Sequence, residues 1–252
     1  MTEQGVSATV VDGVGTVSFS HPKANSLPSE QLRALSASID QFSEDSRVRV
    51  IVLQSGGEKA FCAGASFDEL LALQEEKEAI EYFLGFARVI LSMRAAKKFV
   101  IARVQGNAVG GAVGLIAAAD YTIASEGASV RLSELALGFG PFVISQPVIR
   151  KIGAAAFGEL AMSAAWRDAS WALQRGLFSQ VVSSTKDELD NAVREMASEL
   201  SHRSLEAMQL IKEIAWQGTE EWESLLHARA QLAARLALSQ ETREKLQEFQ
   251  KS

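Results

Sequence analysis

The first residue of this chain that could do chemistry is Glu134, set in RLSELALGFGPF, residues 131–142, between a β-like segment and an apolar turn containing glycine. A carboxylate in such surroundings is partly desolvated, which raises its pKa and lets it accept and return a proton near neutral pH. The same residues also fit a short helix started by Ser133, in which Glu134 would serve the cap or the helix dipole. The second candidate carries no reactive side chain. QGNAVGGAVGLIAAAD, residues 105–120, clusters Gly106, Gly110 and Gly111 ahead of an apolar run and holds no charge before Asp120. Such a chain turns tightly and opens a helix whose first amides point outward, a geometry that binds a negative oxygen. Close approach of two backbones is the competing explanation for the small residues.

Other chemistries lack their residues. His21, His202 and His227 have no second ligand at metal spacing, so a zinc site is not expected. No GxSxG elbow presents a serine nucleophile. GNAVGG lacks the Lys-Ser/Thr of a phosphate-binding loop, and no GxGxxG follows a strand. Cys62 has no neighbouring His or Lys to lower its pKa and reads as a small core residue. Trp166, Trp171, Trp216 and Trp222 are spaced as helix-packing residues, and most acids fall on the solvated faces of amphipathic helices.

The elements that must position Glu134 and the glycine segment follow from periodicity and breakers. Residues 6–19 hold two β-branched runs around Asp12-Gly13, a hairpin signal. A helix is predicted from Ser29 to about residue 44, a buried strand over 48–56, and a glycine-rich loop, SGGEKAFCAGAS, after it. Ser66 with Glu69, and Thr185 with Glu188, read as capping boxes. A long helix over 76–96, a strand over 99–104 and two short strands, YTIAS and ASVRL, complete the pattern around the glycine segment. Strand, loop, helix, strand, glycine turn and helix argue for an α/β layer architecture with reactive loops at strand ends. Beyond residue 145 the chain reads as helical apart from LFSQVVSS at 177–184, with helices over 203–216 and 221 to about 249. A boundary near residue 200 divides a core, 1–200, from a helical assembly region, 201–252, whose apolar faces, including Leu225, Leu226, Leu232 and Leu236, are expected to cover a neighbouring surface.

The chain has 252 residues, 47% hydrophobic and 22% charged, enough for one sizeable core. Twenty-five basic against 31 acidic residues give a net charge of −6, which disfavours nucleic acid, although Arg94, Lys97 and Lys98 could form a local positive patch. No apolar run reaches membrane-spanning length, and the N-terminal MTEQGVSATVVDG has neither a basic start nor an apolar stretch. With a single cysteine, the expectation is a cytoplasmic protein without a disulfide.

Three blocks in this order, AFCAGASFDEL at 60–70, QGNAVGGAVGLIAAADYTIAS at 105–125 and LSELALGFGP at 132–141, resemble the signature blocks of the crotonase family, which includes enoyl-CoA hydratases and isomerases. The resemblance covers roughly residues 5–250. It implies a spiral of stacked ββα units with C-terminal helices that assemble homotrimers, often paired as hexamers. It also implies that the amides of Ala65 and Gly111 hold a thioester carbonyl oxygen and stabilise the enolate formed on it, with Glu134 as the catalytic acid/base. Coenzyme A enters as part of the substrate, with no separate cofactor or metal, and the carry-over places it near Lys23, Ala24, Ala63 and Ala65. Phe67, Leu70, Leu71, Phe139, Phe142 and Val143 are candidates for an apolar acyl pocket, and Arg131 is a candidate partner for a charged acyl group such as methylglutaconyl, an intermediate of leucine breakdown.

One departure stands out. Hydratases of the family hold the attacking water between two glutamates, and the first of these falls at Gly114 in this chain. The overall resemblance implies an enoyl-CoA hydratase of fatty-acid or leucine breakdown. The missing glutamate keeps two alternatives open, an enoyl-CoA isomerase with Glu134 as sole acid/base and an acyl-CoA-binding protein without turnover.

Overall fold

The computed structural model describes residues 4–251, so Met1–Glu3, part of the N-terminal segment considered above, and Ser252 lie outside the described residues. Asp12 and Gly13, both at positive φ (49° and 81°), form the two-residue turn of an antiparallel hairpin, β1 (Gly5–Val11) with β2 (Val14–Ser20). Strand β2, between β1 and β3 in its sheet, alternates buried and half-buried residues, as a strand with one fully covered face does. Helix α1 (Ser29–Glu44) then leads to β3 (Val50–Ser55).

Three consecutive units follow the expected ββα plan. Strand β3 is followed by β4 (Ala60–Cys62) and by α2 (Phe67–Ala72) and α3 (Glu76–Ala95); β5 (Phe99–Val104) by β6 (Asn107–Val109) and α4 (Gly111–Ala118); β7 (Tyr121–Ser125) by β8 (Ser129–Arg131), a 3-10 turn (Leu135–Leu137) and α5 (Ser145–Ser163). The first strand of each unit joins a six-stranded sheet, and the second joins a four-stranded sheet, so the chain steps through two parallel layers as it spirals. The remaining elements are β9 (Arg167–Asp168), α6 (Ala169–Gln174), β10 (Gln180–Val182), α7 (Lys186–Ser201), α8 (Leu205–Ala215), α9 (Trp222–Ala237) and α10 (Gln240–Lys251).

Strands β3, β5 and β7 are buried along almost their whole length because both faces of the large sheet are covered. Val50, Val52, Ile101 and Ile123 pack on Leu189, Val193 and Ala197 of α7. The alternate residues, including Ile51, Leu53, Val100 and Ala102, join the main core with α1, α3 and α4. Among the described residues no helix is long and apolar enough to cross a membrane.

Local differences from the sequence expectation have identifiable causes. Ser66 Oγ does cap α2 by accepting from the Glu69 amide, but the Glu69 carboxylate does not close the box: it accepts from the Ser29 amide at 2.7 Å and ties α2 to the start of α1. Thr185 caps α7 in the same one-sided way. The helix expected over 221–249 is two, because Ser239 Oγ accepts from the Thr242 amide and starts α10 afresh. The short strands β6 and β9 fall in residues read as turn and helix; each is too brief for a periodic signal. Arg94, Lys97 and Lys98 do not form an open positive patch: Arg94 donates to Thr219, Lys97 pairs with Glu44 at 2.7 Å, and Lys98 is buried.

The C-terminal helices return to the core. Helix α9 lies along α3, and α10 packs on α2 and on the 3-10 turn, with Phe249 stacked on Phe67 at 5.2 Å between ring centroids and Arg243 donating to the Leu73 carbonyl.

Candidate active site

A cleft of about 550 Å³, its mouth included, opens where the loop after β4, the start of α4 and the 3-10 turn meet. Gly64, at φ +84°, makes the first junction possible: a Cβ there would stand 2.5 Å from the Val109 carbonyl oxygen and 3.5 Å from the Gly111 nitrogen. The two loops expected to face each other are therefore in backbone contact. Gly110, at φ +56°, makes the second: a Cβ there would stand 2.9 Å from a Glu134 carboxylate oxygen, so the carboxyl group lies directly against this turn.

Hydrogen bonds fix where the amides of the two loops point. The Leu27 amide donates to the Gly64 carbonyl at 2.8 Å, and in a trans peptide the following N–H, that of Ala65, points the opposite way. At the other loop the Gly110 carbonyl accepts from the Val113 amide at 2.8 Å inside α4, which turns the Gly111 N–H outward from the helix start. Ala65 and Gly111 both line the cleft, and among the described residues neither amide has a hydrogen-bond acceptor.

Glu134 is 8% exposed, and its Oε2 is fully buried with no hydrogen-bond partner. Burial pushes its pKa from 4.5 up to about 7, against a smaller opposing pull from the amides of Ser133 and Glu134 itself. It sits at the head of the 3-10 turn but makes no side-chain cap bond, so the capping role is excluded. The turn presents its carboxylate to the cleft because Gly138, at φ +94°, closes it tightly against Thr242 of α10.

The other expected residues divide. Ala63, Phe67, Leu70, Phe139, Phe142 and Val143 line the cleft with Ala65, Gly111 and Glu134. Leu71 packs on the core instead. Lys23 lies outside the cleft lining, half-exposed and paired with Asp68 at 2.5 Å, while the Ala24 carbonyl accepts from the Ala63 amide and so abuts the same loop. Arg131 points away: it donates to the Ala164 carbonyl at 2.6 Å and lies over the Trp166 ring. No Arg, Lys or His lines the cleft among the described residues. Cys62 is fully buried and its thiol is pushed up to about 12, as a core residue's would be. Among the described residues no cluster of His, Cys, Asp or Glu could hold a metal ion.

Gly114 shows why a second glutamate is absent. A Cβ at this position would stand 2.2 Å from Ile144 Cγ2 and 2.5 Å from Ile144 Cβ, because α4 and α5 cross there. Ile144 itself lines the cleft. The wall that would carry the second carboxylate is thus an isoleucine delivered by the turn that leads into α5. Phe83 and Phe86 of α3, Leu137 and Ala233 of α9 complete the apolar lining. Sequence reasoning missed these residues, because nothing in their local context separates them from ordinary core.

A buried carboxylate raised to about 7, its Oε2 without a partner, facing an apolar cleft with two free amides, can move a proton on a carbon next to a carbonyl whose oxygen those amides hold. The profile of the family described as Enoyl-CoA hydratase/isomerase matches residues 9–251. A probable enoyl-CoA hydratase of Rhizobium meliloti (strain 1021) is 35% identical over 202 residues, 79% of this chain and 76% of that protein. A carnitinyl-CoA dehydratase of Proteus mirabilis (strain HI4320) is 30% identical over 214 residues, 84% of this chain and 80% of that protein. The crystal structure of a putative enoyl-CoA hydratase/isomerase (crotonase) from Legionella pneumophila is 32% identical with a TM-score of 0.80, covering 98% of this chain and 96% of that one. With the family profile spanning nearly its whole length and two relatives matched over most of theirs, this chain belongs to the enoyl-CoA hydratase/isomerase family of acyl-CoA enzymes.

Proposed function

We propose that the protein catalyses reversible addition of water to a 2-enoyl-CoA thioester through an enolate, with Glu134 as the only acid/base. The observation that carries this reading is the Glu134 carboxylate beside Gly110, in the same cleft as the unengaged Ala65 and Gly111 amides. Glu134 takes a proton from water as the water oxygen bonds to carbon 3. The displaced electron pair moves to the thioester oxygen, where two N–H donors stabilise it. Glu134 then returns the proton to carbon 2 and the carbonyl reforms, leaving a 3-hydroxyacyl thioester. The names of the relatives, a hydratase and a dehydratase, favour water as the second reactant.

A double-bond shift is the second reading, favoured by the closure of the Gly114 position by Ile144. Here Glu134 would take a proton from carbon 2 of a 3-enoyl thioester and return it to carbon 4. Both readings need coenzyme A only as part of the substrate, carried past Lys23, Ala24 and Ala63. An uncharged acyl chain suits a cleft lined by Phe67, Leu70, Phe139 and Phe142, and a dicarboxylic chain such as methylglutaconyl would lie beside Glu134 without a cation. For the protein as a whole we infer a cytoplasmic homotrimer or pair of trimers, supported by the exposed Leu210, Ile211 and Ile214 on α8.

The test is incubation with crotonyl-CoA and with a 3-enoyl-CoA in water enriched in heavy oxygen, followed by mass spectrometry. Label in a 3-hydroxyacyl product supports hydration. Unlabelled 2-enoyl product from the 3-enoyl substrate shifts the assignment to isomerisation, and an unchanged pair of substrates overturns turnover altogether.

A further inference from the structure

Helix α3 supplies no group that faces the reacting atoms with a polar side chain, yet it holds both loops that do. Tyr82 is 1% exposed, and its hydroxyl accepts from the Ser66 amide at 2.7 Å while donating to the Leu27 carbonyl at 3.1 Å. Ala65 is therefore clamped on both sides: the Leu27 amide fixes the Gly64 carbonyl before it, and the Tyr82 oxygen fixes the Ser66 N–H after it. Two rigid peptide planes leave the Ala65 N–H little freedom. One turn further along the same face, Phe86 abuts the other donor, since a Cβ on Gly111 would stand 2.3 Å from its ring. The Tyr82 and Phe86 rings meet edge to face at 6.2 Å between centroids.

We propose that Tyr82 is a positioning residue for the enolate site, its hydroxyl setting the direction of the Ala65 N–H and, with Phe86, the spacing between the two amide donors. This rests on the proposed role of those amides. Misplacement of a donor by a fraction of a bond length acts on the developing charge far more than on substrate binding, because the donors are matched to the transition state.

The variant is Tyr82→Phe, which keeps the ring and removes one oxygen. The probe is butyryl-CoA carrying carbon-13 at its thioester carbonyl, read by difference infrared spectroscopy on the bound complex. Wild type should show a carbonyl band moved to lower frequency by the two donors, and Tyr82→Phe a smaller displacement, with kcat for crotonyl-CoA reduced about tenfold to a hundredfold and KM changed by less than about threefold. An unchanged band and kcat in a folded Tyr82→Phe overturn the proposal. A wild-type band that does not move on binding overturns instead the assignment of the amides to the carbonyl oxygen. Should Tyr82→Phe not fold, 3-fluorotyrosine decides: the chain has two tyrosines, so labelling in a Tyr121→Phe background places it at Tyr82 alone. Fluorine weakens the hydroxyl as an acceptor for the Ser66 amide. An intermediate band supports the proposal, and a band identical to that of unlabelled Tyr121→Phe overturns it.

Discussion

Replacing Glu134 by glutamine should abolish turnover and yet stabilise the protein, increasingly as pH rises from about 4.5 to 7. The carboxyl titrates near 4.5 when the chain is unfolded and near 7 in the cleft, where burial penalises its charge. Between those values the folded chain keeps a proton that the unfolded chain has released, so wild-type stability falls as pH rises through this window. At 1.36 kcal/mol per pH unit the loss amounts to about 3 kcal/mol. Below pH 4.5 the group is neutral in both states and costs nothing. Glutamine is neutral throughout and nearly the same shape, so apart from a constant offset Glu134→Gln should exceed wild type by less than about 1 kcal/mol at pH 5 and by about 3 kcal/mol at pH 8.5. For a chain of this length that is roughly 6 °C or more in Tm. Urea unfolding of both proteins at intervals from pH 5 to 9 reads the difference, and the pH dependence of the difference carries the information. Wild-type kcat for crotonyl-CoA should rise through pH 7 in the direction that needs the ionised base. A stability difference that does not change with pH would show that Glu134 is not raised by burial, and the acid/base assignment would lose its physical basis.

Restoring the second glutamate by Gly114→Glu should not produce a faster hydratase. Its Cβ would lie 2.2 Å from Ile144 Cγ2 inside the α4–α5 crossing, so the variant should lose roughly 1–3 kcal/mol from overpacking and lose turnover with it, and a stable variant with improved hydration would refute the closed wall. Away from the cleft, Asp120 accepts from the Trp216 indole, the Val100 amide and Lys212, whose ammonium is 2.8 Å away and also donates to the Met93 and Lys98 carbonyls. Asp120→Ala strands a buried lysine, an indole N–H and an amide, and should cost about 3–5 kcal/mol by urea unfolding; a loss below about 1 kcal/mol would mean that the network does not hold α8 to the sheet.

How much of this site could be read from the sequence depended on whether the cause was local. Glu134 was legible because an acid between a strand and an apolar turn has few solvated conformations, and the structure buries it with Oε2 unpartnered. The glycine segment was legible as an outward-facing helix start, since Gly110 at positive φ and the absence of acids are visible in the residue types. Its competing explanation, close backbone approach, also holds, at Gly106, where a Cβ would stand 2.4 Å from the Lys59 carbonyl oxygen, while Gly114 makes room for the Ile144 side chain. Both readings came from one stretch because it does two jobs, presenting an amide at the start of α4 and admitting a close neighbour before and after it. The ββα plan of the core was legible where strands are long, and β6 and β9 escaped because two or three residues show no period.

Tyr82, Phe86 and Ile144 were illegible for a different reason. Each sits in an apolar helical context that would look the same in any core, and each matters only through the backbone it meets: Tyr82 through Ser66 and Leu27, Phe86 through Gly111, Ile144 through Gly114. The donors of this site are main-chain amides, so the residues at the donor positions carry small side chains and little information, while the residues that aim them lie elsewhere in the chain. The amide pair is therefore a property of how α3 packs on the two loops. A change at Tyr82, which does not line the cleft, should alter the handling of the proposed enolate, whereas a change of Ala65 to another side chain of similar size should matter much less, because its N–H survives the substitution.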